Sequence, residues 1–197
     1  MRIVADQTTG SRSDVRSFWD TSAARYDEYF DERSGEAHAL RARLAATVIL
    51  VGSGPGKALD AGMGPGRLCA ELERRGWAVH GVDASSEMVA IARSRLPNAA
   101  ERLVQGTIEA LPFDDASFDR VTATGVLEYA TVSDALSELA RVLKPNGVAV
   151  VSYPNPYAVY GMWKTWVYYP LVRLLKWLRT GQRAGLPHGA GPIPPKA

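Results

Sequence analysis

The chain has 197 residues, of which 46% are hydrophobic and 22% are charged. This length and composition are those of one globular domain that can bury a substantial core. The single cysteine, Cys69, excludes an internal disulfide, and the spacing of the three histidines, His38, His80 and His188, argues against a metal site. No apolar run follows the basic residues near the N-terminus, so we expect no signal peptide and a cytoplasmic protein.

The net charge of +2 is distributed unevenly along the chain. Glu138 is the last acidic residue, and eight basic residues follow it. The part that ends at Glu138 carries 15 basic and 21 acidic residues. A basic end of this kind suggests nucleic acid or an anionic membrane as a partner, although a basic tail can also simply be solvated.

Helical spacing of mixed polarity predicts helices over 12–32 and 36–50, and the segment 53–57, SGPGK, ends this part of the chain. Strands and helices then alternate. Strands are predicted near 57–61, 77–83, 101–105, 118–124 and 147–153, and helices near 67–76, 86–96 and 133–143. Thr131 and Asp134 resemble a capping box at the start of the last helix. Short apolar strands separated by helices predict an α/β fold with a doubly wound, mostly parallel sheet.

The segment LDAGMGPGR, residues 59–67, predicts a nucleotide-type turn after the first strand. Asp60 precedes three glycines at alternate positions, which let the backbone turn sharply and approach a ligand closely. These glycines are Gly62, Gly64 and Gly66. The spacing departs from the dinucleotide pattern GxGxxG, and Pro65 has no N–H to offer a phosphate. Asp60 would instead attract a cationic ligand that carries an ammonium and a sulfonium, which fits S-adenosylmethionine.

A second acidic residue supports a nucleoside ligand. The segment 77–83, WAVHGVD, is an apolar strand that ends in Asp83, 23 positions after Asp60. A carboxylate at the tip of the second strand of such a sheet accepts hydrogen bonds from both ribose hydroxyls. Because dinucleotide-binding folds share this carboxylate, Asp83 by itself indicates only an adenosine ribose.

Together, these motifs resemble the class I S-adenosylmethionine-dependent methyltransferases, in particular the small-molecule branch called type 11. The resemblance runs from about Ala58 to Tyr153. It rests on LDAGMGPG, GVDAS (81–85), GTIEALPFDDASFD (106–119) and LKPNG (143–147), in that order. Upstream, FWDTSAARYDEYF (18–30) looks like the helix that covers the cofactor in this family. The resemblance implies a Rossmann-like fold and S-adenosylmethionine as the cofactor.

The resemblance also implies which residues bind the cofactor. Asp60 and the glycine loop would face its methionine part, Asp83 would hold the ribose, and Thr107 and Ile108 would flank the adenine. Gly125 would line the floor near the transferable methyl group. Many relatives carry Asp where this chain has Thr107, whose hydroxyl can also accept a hydrogen bond but without charge.

The chain is expected to have four parts: a helical cap (1–52), the α/β core (53–156), an amphipathic aromatic and basic helical segment (157–180) and a disordered tail (181–197). In the third part, leucines recur at helical spacing among basic residues: Leu171, Leu174, Leu175 and Leu178. Such a helix packs on the domain, serves as a substrate lid or lies in a membrane interface. Its apolar run is too short for it to span a membrane. The family's usual final helix and two strands are missing from this pattern.

Methyl transfer from a sulfonium is a direct displacement that depends mainly on alignment. A base helps if the acceptor is a hydroxyl, and Tyr26, Glu128 and Tyr129 are candidates by position only. We therefore expect a methyltransferase that acts on a small-molecule or lipid-like acceptor, with no nucleic acid partner. A non-catalytic or vestigial cofactor-binding module is the alternative. An NAD-dependent oxidoreductase is disfavoured by Pro65, the glycine spacing and the lack of a Tyr-x-x-x-Lys pair.

Overall fold

The computed structural model describes residues 12–153 and, beyond them, Leu171. Arg12–Tyr153 form one compact unit. The predicted helical segment 157–180, the predicted tail 181–197 and the expected loss of C-terminal strands fall outside the described residues. Leu171 itself is helical and half exposed.

The described unit begins with two helices and continues as alternating strands and helices. The helices are α1 (Arg12–Tyr29), α2 (Gly35–Val51), α3 (Arg67–Arg74), α4 (Ser86–Arg95) and α5 (Val132–Val142). The strands are β1 (Lys57–Ala61), β2 (Ala78–Asp83), β3 (Leu103–Gln105), β4 (Phe118–Thr124) and β5 (Leu143–Ser152). Short 3-10 helices cover Pro97–Arg102 and Leu127–Tyr129.

The five strands form one parallel sheet in the order β3-β2-β1-β4-β5. The chain starts the sheet at its centre, moves outward through β2 and β3, and returns to the other side of β1 with β4. This reversal creates a crevice at the carboxyl ends of β1 and β4, the place where open α/β sheets bind ligands. The predicted doubly wound parallel fold is confirmed.

Successive residues of the central strand pack on opposite faces of the sheet, as strand geometry requires. Ala58 belongs to a core cluster with Val48 of α2 and Leu72 of α3, whereas Leu59 belongs to a second cluster with Leu139 of α5. Each face of the sheet is therefore covered by helices. Both faces of β1 are buried, which explains its continuous apolar character apart from Asp60.

The predicted ends of the elements differ from the structure mainly in the last part of the described chain. β5 begins at Leu143, but its register against β4 shifts between Phe118 and Arg120, so regular pairing resumes only at Val148. The predicted capping box is wrong: Thr131 is the N-cap residue of α5, but its side chain makes no capping hydrogen bond. Its backbone N–H instead donates to Glu109 Oε1 at 3.2 Å.

None of the helices within residues 12–153 combines the length and the apolar composition that crossing a bilayer requires.

Candidate functional site

The glycine loop between β1 and α3 contains three glycines with positive φ angles. Two of them allow close packing within the protein, and the third faces open space. A Cβ on Gly62 would lie 2.6 Å from Val126, and one on Gly66 would lie 2.9 Å from the Cβ of Ala92. These two glycines therefore let the loop pack against the protein itself. A Cβ on Gly64 would meet nothing within 4 Å, so this glycine, with φ +52°, faces open space. Of the three, Gly64 is the best placed to contact a ligand.

Asp83 fixes the conformation of this loop from the tip of β2. The backbone N–H of Gly64 donates to Asp83 Oδ2 at 2.8 Å, and the N–H of Ser85 donates to Oδ1 at 2.9 Å. Burial raises the pKa of Asp83 despite these hydrogen bonds, which act in the opposite direction. Each carboxylate oxygen has a second lone pair, so Asp83 can hold the loop and still accept hydrogen bonds from a ligand.

Asp60 lies at the end of β1 and is only 2% exposed. Thr122 Oγ1 donates to Asp60 Oδ1 at 2.7 Å, and the buried thiol of Cys69 lies 3.7 Å from Oδ2. Burial raises the pKa of Asp60 to about 6. Because burial also raises the pKa of Cys69, the thiol stays protonated and serves as a weak donor to the carboxylate.

A cleft opens beside these groups at the carboxyl ends of β1 and β4. Its lining includes Tyr26 of α1, Arg43 of α2, Asp60 and Gly64 after β1, and Thr124 at the end of β4. The cleft therefore lies between the two N-terminal helices and the glycine loop. This is the crevice that the strand order creates.

Arg43 brings a cation into the cleft that the sequence did not predict. A Cβ on Gly125 would lie 2.9 Å from Arg43 Nη1, so the guanidinium rests against the backbone that follows β4. Gly125 has φ +70°, and its N–H donates to Ser152 Oγ at 3.1 Å. Burial raises the pKa of Tyr26, and Arg43 partly opposes that shift, so Tyr26 is a neutral phenol beside a guanidinium.

The two residues that the resemblance assigns to the adenine lie just beyond β3. Gly106 N–H donates to the backbone oxygen of Asp83 at 3.0 Å, which brings their loop next to the tip of β2. Thr107 is exposed, whereas Ile108 is buried in the core cluster that contains Leu111. The structure thus places Thr107 and Ile108 near Asp83 but not among the residues that line the cleft.

Ion pairs and a hydrogen bond hold helix α1 and the residues that follow it beside the glycine loop. Arg67, the first residue of α3, pairs with Asp27 at 2.6 Å and with Asp31 at 2.8 Å, and Arg95 of α4 pairs with the same Asp27 at 2.7 Å. Asp20 accepts a hydrogen bond from Ser85 Oγ at 2.6 Å. The sequence did not predict these ion pairs and this hydrogen bond. Asp20 and Asp27 are nevertheless seven residues apart and so share one face of a helix.

The three candidate bases occupy different environments. Tyr26 lines the cleft. Tyr129 packs its ring against Trp19 at a centroid distance of 5.6 Å, edge to face. Glu128 is partly buried, and among the described residues no hydrogen-bond partner reaches its buried Oε2 atom.

A parallel doubly wound sheet with a glycine loop at the strand-order reversal and a carboxylate at the tip of β2 defines a Rossmann-like nucleotide-binding domain. Comparison with known proteins shows which domain family its sequence matches. Residues 59–151 match the sequence profile of a methyltransferase domain, type 11. This part of the chain is therefore similar in sequence to the methyltransferase domains of that family.

Individual relatives agree with this assignment. Demethylmenaquinone methyltransferase from Chlorobaculum tepidum is 36% identical over 151 residues, which cover 74% of this chain and 62% of that protein. Malonyl-[acyl-carrier protein] O-methyltransferase from Enterobacter lignolyticus is 34% identical over 135 residues, which cover 68% of this chain and 51% of that protein. The chain thus spans between half and two thirds of the length of these relatives.

A solved structure shows the same fold. An S-adenosylmethionine-dependent methyltransferase from Thermotoga maritima superimposes with a TM-score of 0.60 at 26% identity, covering 74% of this chain and 65% of that one.

Substitution of two loop glycines separates ligand contact from packing. Gly64→Val and Gly66→Val both force a β-branched residue to adopt a positive φ, so both lose stability through the same backbone strain. Gly66→Val also collides with Ala92, and we expect it to lose about 1–3 kcal/mol more stability than Gly64→Val in denaturant unfolding. Gly64→Val should remain folded but lose S-adenosylmethionine binding in calorimetry. Equal destabilisation by both substitutions would mean that Gly64 also serves packing.

Proposed function

We propose that this protein is an S-adenosylmethionine-dependent methyltransferase that acts on a small-molecule or lipid-like acceptor. The observation that carries the proposal is the hydrogen bond from Gly64 N–H to Asp83, which joins the open glycine of the loop to the carboxylate at the tip of β2. The relatives support the acceptor class, since their names specify demethylmenaquinone and a malonyl carrier protein as substrates.

The groups in and beside the cleft match the chemistry of S-adenosylmethionine. Asp83 accepts hydrogen bonds from the ribose hydroxyls, and Thr107 and Ile108 lie beside the adenine. Gly62, Gly64 and Gly66 shape the loop that lies against the methionine part, and Gly125 lies near the methyl group. Asp60 attracts the positive charge of the ligand.

Arg43 adds a group of the opposite sign. Its guanidinium lies in the cleft beside Gly125, where it can pair with the carboxylate of the methionine part. A zwitterionic amino acid group thus finds an anion and a cation in one cleft. The cofactor supplies an activated methyl group, and the protein contributes its alignment with the acceptor.

Loss of the Asp83 carboxylate tests the proposal. Asp83→Ala should weaken S-adenosylmethionine binding by about 1.5–3 kcal/mol, or roughly 10- to 150-fold, because it removes hydrogen bonds to a charged group. Calorimetry with S-adenosylmethionine, its demethylated product and NAD, side by side, measures this effect. Asp114→Ala, a change at an exposed carboxylate, is the matched control and should bind as the wild type does.

The wild-type protein should bind the first two of these ligands and not NAD. Binding of NAD alone would favour an oxidoreductase. Binding of S-adenosylmethionine without transfer to any acceptor would favour a non-catalytic module. Unchanged affinity in Asp83→Ala would remove the ribose assignment.

The raised pKa of Asp60 predicts a pH dependence of cofactor binding. Only the ionised carboxylate attracts a cationic ligand, so affinity is full well above the pKa of about 6 and falls as pH drops through it. Between pH 7 and pH 5, we expect the affinity for S-adenosylmethionine to fall by about tenfold. Asp60→Asn should bind weakly at pH 7 and lose most of this dependence. A wild-type affinity that is constant over this range would contradict the role given to Asp60.

From the sequence, we also propose that the segment 157–179 brings the protein to apolar or membrane-resident acceptors. Its leucine stripe and basic residues should bind anionic vesicles, with each basic residue near the surface contributing about 1 kcal/mol and salt weakening the attraction. Co-sedimentation with such vesicles should be strong for the wild type and for Leu174→Met, and weak for Leu174→Glu. If all three bind equally, or none binds, the segment does not contact membranes through this stripe.

A further inference from the structure

A buried carboxylate oxygen without a partner marks the turn that follows β4. Among the described residues, Glu128 Oε2 is the one buried side-chain oxygen or nitrogen that lacks a hydrogen-bond partner. Leaving such an atom unpaired destabilises a folded protein, and more so when the group is charged. Buried polar atoms in folded proteins are nearly always paired, and residues 12–153 supply no partner here, so this position suits a donor group on a ligand.

The surroundings of Glu128 show where that partner would come from. Glu128 lies three residues after Gly125, in the short 3-10 helix Leu127–Tyr129. The guanidinium of Arg43, which lines the cleft, rests against Gly125 and holds down the pKa of Glu128. The turn that carries Glu128 therefore borders the cleft, at the end where the proposed function puts the methyl group.

We propose that Glu128 accepts a hydrogen bond from a hydroxyl group of the methyl acceptor and takes its proton during transfer. This inference rests on the proposed methyltransferase function and adds to it the chemical class of the acceptor, a compound with an ionisable hydroxyl. A carboxylate acceptor has no proton to donate at neutral pH and would be repelled by Glu128. Among the substrates that the relatives' names specify, this favours the reduced form of demethylmenaquinone over a malonyl group.

The proposed step balances without a further reactant. The hydroxyl proton passes to the Glu128 carboxylate, and an electron pair of the acceptor forms the new bond to the methyl carbon. The carbon–sulfur bond breaks, and its electron pair stays on the sulfur. A methylated acceptor, a neutral thioether and a protonated Glu128 remain, and the proton then leaves to water.

The local charges suit a base. Burial raises the pKa of Glu128, and Arg43 opposes that shift only in part. In its ionised form, a carboxylate with a raised pKa is a stronger base than an exposed one. The titratable and charged groups that face Glu128 are Tyr26 from α1 and Arg43 from α2.

The test measures methyl transfer from S-adenosylmethionine to three probes: reduced demethylmenaquinone, its dimethyl ether and a malonyl thioester. The wild type should methylate the quinol at least about 100-fold faster than the other two. Glu128→Gln should lower kcat/KM for the quinol by about 100-fold or more and leave S-adenosylmethionine affinity unchanged. Glu101→Gln, which removes an exposed carboxylate, is the matched control and should behave as the wild type does.

Two further readouts separate a base from a structural residue. At saturating S-adenosylmethionine, kcat for the quinol should fall on the acid side in the wild type and in Glu128→Asp, and this fall should be absent in Glu128→Gln. In anaerobic equilibrium binding with the demethylated product present, Glu128→Gln should bind the quinol about tenfold more weakly. Since Gln removes a buried charge, its melting temperature should not fall.

The outcomes distinguish this inference from the proposed function. A protein that does not bind S-adenosylmethionine overturns the proposed function itself. A protein that binds it but does not methylate the quinol, or methylates the ether or the thioester equally well, overturns the inference about Glu128 alone. Unchanged kinetics in Glu128→Gln also overturn the inference, because they mean that the buried oxygen binds a structural water and not the acceptor.

Discussion

The hydrogen bond between Gly64 N–H and Asp83 Oδ2 couples the two parts of the sheet on which the cleft depends. The glycine loop follows β1 and Asp83 ends β2, and these neighbouring strands run parallel in register, with Asp60 opposite Gly81. The register brings the loop and the carboxylate to the same edge. A loop with this many glycines has a high conformational entropy, and one charge-assisted hydrogen bond to a buried carboxylate holds it in the conformation that faces the cleft.

Three carboxylates around the cleft share one electrostatic property: burial raises the pKa of Asp60, Asp83 and Glu128. The ionised form of each is destabilised by its burial, and a ligand with donor or cationic groups offsets that cost on binding. Arg43 already does so in part for Glu128. The charges therefore favour occupancy of the cleft over stability of the empty protein, a common property of functional sites.

The sequence predicted those features that arise from local patterns. β1 and β4 agree with their predicted bounds because short apolar runs flanked by polar residues define them, and the glycine loop agrees because its spacing requires a turn. It did not predict the position of Arg43 or the pairing of Asp27 with Arg67 and Arg95, since these contacts join residues far apart in the chain. The capping box failed for a related reason: a distant side chain, that of Glu109, accepts the hydrogen bond from the helix end.

The way α1 is attached has a consequence for the rates of ligand exchange. Among its described side chains only Ala23 is buried, while Asp20 and Asp27 make its polar contacts with α3 and α4. Partly exposed ion pairs weaken as ionic strength rises, whereas apolar packing does not. The helix that flanks the cleft is thus held in part by forces that respond to salt, and the core beneath it by forces that do not. Moderate salt would therefore shorten the residence time of a bound molecule before it affected the fold.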